Sequence, residues 1–314
     1  MDERLNSEVL VSVVVVTYNS SEFIIDTLES IKNQTYPNIE LIISDDCSGD
    51  DTVKVCKEWI ETNEDRFVRA EVVTSPVNTG VAPNFNRGIE RSQGEWIKTI
   101  GGDDALYPDV IEQYLNFASK HHEVQFLHSR AVNFSGNFDE ENKLDSPPSK
   151  NLNINRPGIT AQEQFQILLR TCNIAAPTVM IKRSVLEKVG LFNEEYPMWE
   201  DTPMWIKITK NNIKLYYLDI FGAKYRIRVD SVIRENTKSK ILSNFSMYRS
   251  RAYMNVCLPH ISGFEKLLKI SALRMNELFY KLNNNSVWVR GAYSVLAKPL
   301  MYLVHRINKS YKYG

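Results

Sequence analysis

The chain has 314 residues, 43% of them hydrophobic and 24% charged, an ordinary globular composition that excludes a disordered or low-complexity protein. Its formal net charge of zero hides an asymmetry: residues 234–314 carry 14 Lys and Arg against three acids (Glu235, Glu265, Glu277), about +11, so the first 233 residues carry about −11. A basic tail on an acidic body points to an anionic partner, either a membrane or a nucleic acid, or else to solvated helix faces.

The four cysteines, Cys47, Cys56, Cys172 and Cys257, show no CxxC pattern and read as reduced thiols of a cytosolic chain. The N-terminus lacks a basic leader region, and "VLVSVVVV" reads as a buried strand rather than a signal peptide. No stretch reaches about 18 uncharged apolar residues, so no spanning helix is required.

In chain order, a Val-rich strand over Val9–Val16 runs into "TYNSS", where Ser20 or Ser21 can cap a helix with Phe23, Ile24, Leu28 and Ile31 on one face. Pro37 ends that helix. A strand over Ile39–Ile43 ends in "SDDCSGDDT", and Asp51 or Thr52 opens the next helix. A strand over Val68–Val73, a loop "SPVNTGVAPN" and a helix over about Pro83–Arg91 follow. A strand over Trp96–Ile100 ends at Gly101-Gly102-Asp103-Asp104, and Pro108 sits at a helix start. The alternation implies an α/β fold with a mainly parallel, doubly wound sheet. Beyond Arg130, residues 135–158 read as a long polar loop. A helix at about Ala161–Thr171, a strand in "PTVMIKR", a short helix in "SVLEKVGLFNEE", an amphipathic helix opened by Glu200 and Asp201, and strands near Lys214–Leu218 and Ala223–Ile227 close the body.

Ligands of doubly wound sheets sit outside the carboxyl ends of the strands. "TYN", "DD" (Asp45, Asp46), "NTG" and "DD" (Asp103, Asp104) should therefore converge on one site. Adjacent carboxylates at a strand end repel unless something offsets them. A divalent metal that completes its shell with water and substrate phosphates is one such offset, and solvated aspartates in a turn are the plain alternative. Neither GxGxxG nor GxxxxGK[ST] follows a strand, so the usual dinucleotide and P-loop solutions are absent. Paired aspartates, with a further carboxylate about a hundred residues on as general base, suit group transfer from a nucleotide-activated donor.

Taken together, "VSVVVVTYNS", "IELIISDDCSGDDT", "NTGVAPNFNRGIERSQGEWI", "GGDD" and "WEDTPMW", in that order and spacing, resemble glycosyltransferase family 2, inverting enzymes of the GT-A fold, from about Ser12 to Ser231. The resemblance implies that Thr17, Tyr18 and Asn19 line the nucleotide pocket, that Asp46 with Asp45 recognises the uracil end, that Asn78 and Gly80 flank the base, and that Asn86 and Arg87 lie nearby. It places Asp104 on Mn2+ or Mg2+ and Asp103 on ribose, sugar or metal. Asp201 becomes the base that deprotonates the acceptor hydroxyl, with Glu200 positioning the acceptor. Two departures stand out. Gly101 occupies the place of a frequent extra Asp, and "YRIR" puts Arg228 where many relatives carry His; an Arg clamps phosphate but is a poor metal ligand. No QxxRW motif marks a processive synthase, so one sugar per event is expected, with a β-linkage from an α-linked UDP-hexose.

The implied enzyme transfers a hexose or N-acetylhexosamine from a UDP-sugar to a lipid-linked saccharide, with undecaprenyl diphosphate as the carrier, in bacterial O-antigen or capsule assembly. It works peripherally on the cytoplasmic membrane face. The expected division is a catalytic domain over 1–233 and a helical extension over 234–314. In the extension, Phe264, Leu267, Leu268, Met275, Leu278, Phe279 and Leu282 form one stripe, with Lys266, Lys269 and Lys281 elsewhere. It suits an anionic membrane surface or self-association into a homo-oligomer. A non-catalytic nucleotide or glycan binder is the alternative, and a nucleotidyltransferase would need Gly or Lys in "TYNSSEF". A nucleic-acid partner is not expected, because the body that carries the site is acidic.

Overall fold

A computed structural model of the chain describes residues 9–144, 152–228, 242–282 and 286–313. They fall into two compact units, one from the described parts of 1–151, 155–164 and 173–227, the other from those of 152–154, 165–172 and 228–314. The boundary expected after residue 233 lies outside the described residues.

The first unit is built on eight strands: β1 (Val11–Thr17), β2 (Ile39–Asp45), β3 (Arg69–Thr74), β4 (Trp96–Gly101), β5 (Ala105–Leu106), β6 (Phe126–Ser135), β7 (Met180–Lys182) and β8 (Tyr216–Ile227). Their order is β3-β2-β1-β4-β7-β6-β8-β5. The helices are α1 (Ile24–Lys32), α2 (Thr52–Asn63), α3 (Val81–Arg91), α4 (Val110–Lys120), α5 (Ala161–Leu168), α6 (Arg183–Val189) and α7 (Asp201–Lys210); α5 passes from the first unit into the second.

β1 and β2 are buried along their whole length, as valine and isoleucine on both faces of a parallel sheet require. β1 lies parallel to β2 on one side and β4 on the other. Thr17 is level with Asp45, and Val16 with Gly101. This register brings three polar strand ends to one edge. The far half is mixed: β7 is antiparallel to both β4 and β6, β6 is parallel to β8, and β5 is antiparallel to β8.

Helix starts differ from the sequence reading. α1 has no side-chain cap and begins at Ile24, after a turn in which Ser20 O accepts the Phe23 and Ile24 amides (2.9 Å each). The two strands expected near residues 214–227 are one strand, β8. Gly222 is no breaker there: a Cβ on it would lie 2.0 Å from Ser129 Oγ, so glycine is what lets β8 run close to β6. The strand in "PTVMIKR" shrinks to β7, with a 3-10 turn over Ala176–Thr178 before it.

The second unit contains α8 (Asn244–Val256), α9 (Gly263–Leu282), α10 (Val287–Leu296) and α11 (Lys298–Tyr313). The expected apolar stripe of α9 is split. The helix buries Leu268, Ala272 and Phe279 together with Lys269 and Asn276, while Phe264, Leu267, Leu278 and Leu282 stay exposed. Lys269 can be buried because Tyr253 OH (2.7 Å), Asn308 Oδ1 (3.1 Å) and the Glu265 carboxylate (3.2 Å) surround its ammonium. Arg170 pairs with the same Glu265 at 2.8 Å. Among the described residues no helix is long and apolar enough to cross a membrane.

α3 rests directly on the sheet. A Cβ at Gly88 would lie 2.5 Å from Val14 Cγ1, so Gly88→Ala should destabilise the protein by about 1–3 kcal/mol through overpacking. Urea unfolding checks this, and an unchanged midpoint would show that α3 can back away from β1.

Candidate active site

The loops after β1 and β2 are tied to each other by short polar side chains. Asp45 Oδ1 accepts the Ser48 amide (2.9 Å) and its Oδ2 accepts the Ser48 hydroxyl. Asn19, held at a φ of 49°, donates its amide to Ser48 Oγ (2.8 Å) and accepts the Gly49 amide on Oδ1 (2.8 Å). Asn is among the few non-glycine residues that tolerate this region. The Ser20 amide reaches Thr52 Oγ1 (2.8 Å) and the Ser21 amide reaches Asp50 Oδ2 (3.1 Å). Although burial pushes the Asp50 carboxyl up, the hydrogen bonds from Thr52 and Ser21 outweigh it and bring it down to about 2. Tyr18 stays 48% exposed on this framed loop.

Asp46 is buried, and four donors meet its carboxylate. Thr79 N (2.8 Å) and Gly80 N (2.6 Å) bind Oδ2; Thr79 Oγ1 (2.6 Å) and Arg87 Nη2 (3.2 Å) bind Oδ1. A carboxylate offers about four lone-pair positions, so Asp46, expected at the uracil end, is saturated by the loop it orders. Asn78, in the same loop, is exposed. Gly80 has φ +94°, and a Cβ there would lie 2.6 Å from Pro197 Cβ. The Ala82 amide donates to Pro197 O (3.1 Å). The segment leading to Glu200 and Asp201 is thereby brought against the start of α3.

On α3, Asn84 and Arg87 are three residues apart and share a face. Asn84 Nδ2 reaches Thr17 O (3.2 Å), and Arg87 Nη1 reaches Asp45 O (3.2 Å) and Asn84 Oδ1 (2.8 Å). Asn86, expected beside Arg87 in the pocket, lies on another face. Its amide binds Phe192 O (2.9 Å), Glu194 Oε1 (2.8 Å) and Phe192 N (2.9 Å), which braces the approach to α7.

The Gly101-Gly102-Asp103-Asp104 turn sits on β1. The Gly102 amide donates to Val16 O (2.8 Å), and a Cβ on Gly102 would lie 2.9 Å from Thr17 Oγ1. That hydroxyl is buried and has no hydrogen-bond partner among the described residues. Asp103 is half-buried and Asp104 is buried. Burial, then the neighbouring Asp103 carboxylate, pushes the Asp104 carboxyl well above the usual range, while Arg226 and Lys98 pull it down.

Arg226, near the end of β8, is 5% exposed and holds this turn. Its amide donates to Asp104 Oδ1 (2.9 Å) and its Nε to Asp103 O (2.8 Å). One Nη donates to Asp26 Oδ2 (2.7 Å) and the other to Gly136 O. Phe23 and Phe138 lie 4.9 Å and 4.1 Å from its guanidinium carbon. Lys98, fully buried in β4, donates to Pro177 O (2.5 Å) and Thr99 O (3.1 Å). Burial brings its ammonium down to about 7 against the opposing pull of Asp104. Arg228, expected near the diphosphate, follows the last residue of β8 and is grouped with the second unit.

Asp201 is the first residue of α7, and its Oδ1 accepts the Thr202 amide (2.5 Å) and hydroxyl (3.1 Å). Burial, and next the charge of Asp201, pushes the Glu200 carboxyl up to about 8. At neutral pH Glu200 therefore holds its proton.

With this geometry in place, the chain can be set beside known proteins. The model of Glycosyl transferase family 2 matches residues 12–190, more than half of the chain. The chain belongs to glycosyl transferase family 2. It is 28% identical over 234 residues to UDP-Glc:alpha-D-GlcNAc-diphosphoundecaprenol beta-1,3-glucosyltransferase WfaP of Escherichia coli, covering 74% of this chain and 83% of that protein. It is 29% identical over 263 residues to an uncharacterized glycosyltransferase of Rickettsia bellii, covering 82% of this chain but only 35% of that protein. Its fold is that of S. aureus TarS 1-349, crystallised in complex with UDP: TM-score 0.59, 19% identity, 86% of this chain and 70% of that one. The α/β GT-A architecture expected from the sequence is therefore the one observed.

In this family 2 glycosyltransferase the sequence reading missed Arg226, Lys98, Asn84 and Pro197. Arg226 was visible as the first arginine of "YRIR". A cation inside a strand, rather than just past its end, needs buried partners, and that signal singles it out. Among the described residues no cluster of three His, Cys, Asp or Glu side chains could hold a metal. The Asp103–Asp104 pair fits a divalent ion only if substrate phosphates and water complete its shell.

Two outcomes are expected. Arg226→Met should lower stability by about 2–4 kcal/mol, because it strips hydrogen bonds from Gly136 O, Asp103 O and Asp26 together; denaturant titration measures it, and a loss below about 0.5 kcal/mol would deny the clamp. Glu200→Gln tests the raised carboxyl. The native protein binds more protons than the unfolded chain between the ordinary Glu range and about 8. Stability linked to Glu200 is thus present at low pH and lost as pH rises through about 8. The variant should gain stability relative to the parent from about pH 5 to about pH 9; parallel pH profiles would refute the shift.

Proposed function

We propose that this chain is a UDP-sugar-dependent inverting glycosyltransferase that moves one hexose or N-acetylhexosamine to a hydroxyl of a lipid-linked saccharide. The observation that carries this reading is the meeting, at one sheet edge, of the Asp103–Asp104 turn seated on Thr17, the Asp46-held loop, and the Pro197 segment that delivers Asp201. The UDP complex of TarS supports a uridine donor. The name of WfaP supports an acceptor carried on diphosphoundecaprenol, as in bacterial polysaccharide assembly.

In this reading Thr17, Tyr18 and Asn19 face the nucleotide, and the loop of Asn78, Thr79 and Gly80 receives the base. Asp45, Asp46 and Arg87 hold these loops in place. Asp103 and Asp104 would hold Mn2+ or Mg2+, which supplies countercharge for the departing diphosphate. Asp201 takes the proton of the acceptor hydroxyl. The oxygen then attacks the anomeric carbon from the face opposite the diphosphate. The carbon–oxygen bond to the β-phosphate breaks, and its electron pair leaves on UDP. Attack and departure on opposite faces invert the anomeric centre. Protonated Glu200 offers a hydrogen-bond donor to the acceptor.

Asp201→Asn should reduce transfer by about 10²–10⁴-fold while leaving UDP binding intact. Thermal shift with a panel of UDP- and GDP-sugars, with Mn2+ and with EDTA, paired with a transfer assay, separates the two. Near-full activity of Asp201→Asn removes that residue from the mechanism. Absence of stabilisation by every nucleotide removes the donor site.

A further inference from the structure

The second unit leaves part of its own surface unexplained. α10 is a ten-residue helix, "VWVRGAYSVL", and none of its residues is buried. It is properly formed, since Ser286 caps it by accepting the Val289 amide. Yet Val287 is 72% exposed, Trp288 88% and Val295 73%, with Leu296 exposed beside them. At about 1.5 Å per residue, α10 is far too short to span a bilayer. α11 continues the surface: Tyr302 and Leu303 are exposed. Tyr302, His305, Arg306, Lys309, Ser310 and Tyr313, three and four residues apart, share one face of α11 and line a shallow, open groove there.

The charge on this surface has one sign. After Glu277 the chain has no Asp or Glu, while Arg290, Lys298, Arg306, Lys309 and Lys312 on α10 and α11 are all cationic. An apolar, tryptophan-bearing helix next to a cationic groove has the two parts an interfacial element needs: side chains that enter the acyl boundary and cations that meet phosphate. The arginine fork and tyrosine hydroxyls of the groove are suited to phosphate oxygens. Self-pairing of the face would set the same uncompensated cations against each other, so charge complementarity selects an anionic surface.

We propose that the exposed face of α10 and the groove of α11 form a docking surface for anionic phospholipid bilayers, with Trp288, Val287 and Val295 entering the interface and Arg306 and Lys309 binding headgroup phosphates. The inference stands on the helical unit alone. Only its purpose, presenting the enzyme to a lipid-linked acceptor, rests on the transferase reading.

Flotation of the full chain tests it, with vesicles of phosphatidylcholine and with vesicles in which part of the phosphatidylcholine is replaced by phosphatidylglycerol. Binding should require phosphatidylglycerol and weaken with salt. Arg306→Gln and Lys309→Gln should each weaken it roughly fivefold, and Trp288→Ser with Val295→Ser should abolish it. Equal binding to both vesicles, no binding to either, or variants that float like the parent would overturn the proposal. So would a dimer of the parent chain that Trp288→Ser dissociates, since a second copy would then own the face. Thermal shift with UDP-sugars on the same variants keeps the two readings apart: donor binding should be unchanged when vesicle binding is lost. Vesicle binding that persists while no donor stabilises the chain would uphold the surface and sink only the transferase reading.

Discussion

A guanidinium that sees almost no water must find its hydrogen bonds inside the protein, and Arg226 finds them in three separate segments. It binds the backbone of the Asp103–Asp104 turn, the carboxylate of Asp26 on α1, and Gly136 O just beyond β6. Its own amide fixes one oxygen of Asp104. The Asp103–Asp104 turn, the first helix and the polar loop after β6 are therefore anchored to one side chain. A lysine there would bring a single compact charge without the planar fork that reaches these partners at once.

The aspartates of the site divide into two kinds by what surrounds them. Asp45 and Asp46 accept hydrogen bonds from Ser48, Thr79, Gly80 and Arg87, which tie the surrounding loops together. Asp104 lies buried beside a second carboxylate, and Arg226 and Lys98 offset this in part, so its proton affinity is raised. The same contrast recurs at Glu200 and Asp201, where burial and mutual repulsion keep the proton on Glu200. Paired titratable groups whose environments push them apart are the usual means of assigning separate roles to chemically similar side chains.

The helical unit departs in two places from the common distribution of polarity. It buries Lys269, which is compensated by Tyr253, Asn308 and Glu265, and leaves Trp288 and much of the α9 stripe in the open. Apolar periodicity in α9 marked which residues share a face. It did not say which face would turn inward, because a satisfied lysine can be buried in place of leucine.

The sequence by itself determined the alternation of strand and helix, the buried character of β1 and β2, and the polar residues at the strand ends. Each of these follows from a local cause: apolar runs, glycine pairs and helix-breaking prolines. Local patterns also made β8 look like two strands, whereas Gly222, packed against Ser129, lies within one continuous strand. Tertiary structure alone decided which carboxylates are saturated and which are not. It put Asn86 on the bracing face of α3, Arg226 on the Asp103–Asp104 turn, and Pro197 against Gly80. Those choices depend on hydrogen-bond partners a hundred or more residues away, and no spacing within a single motif encodes them.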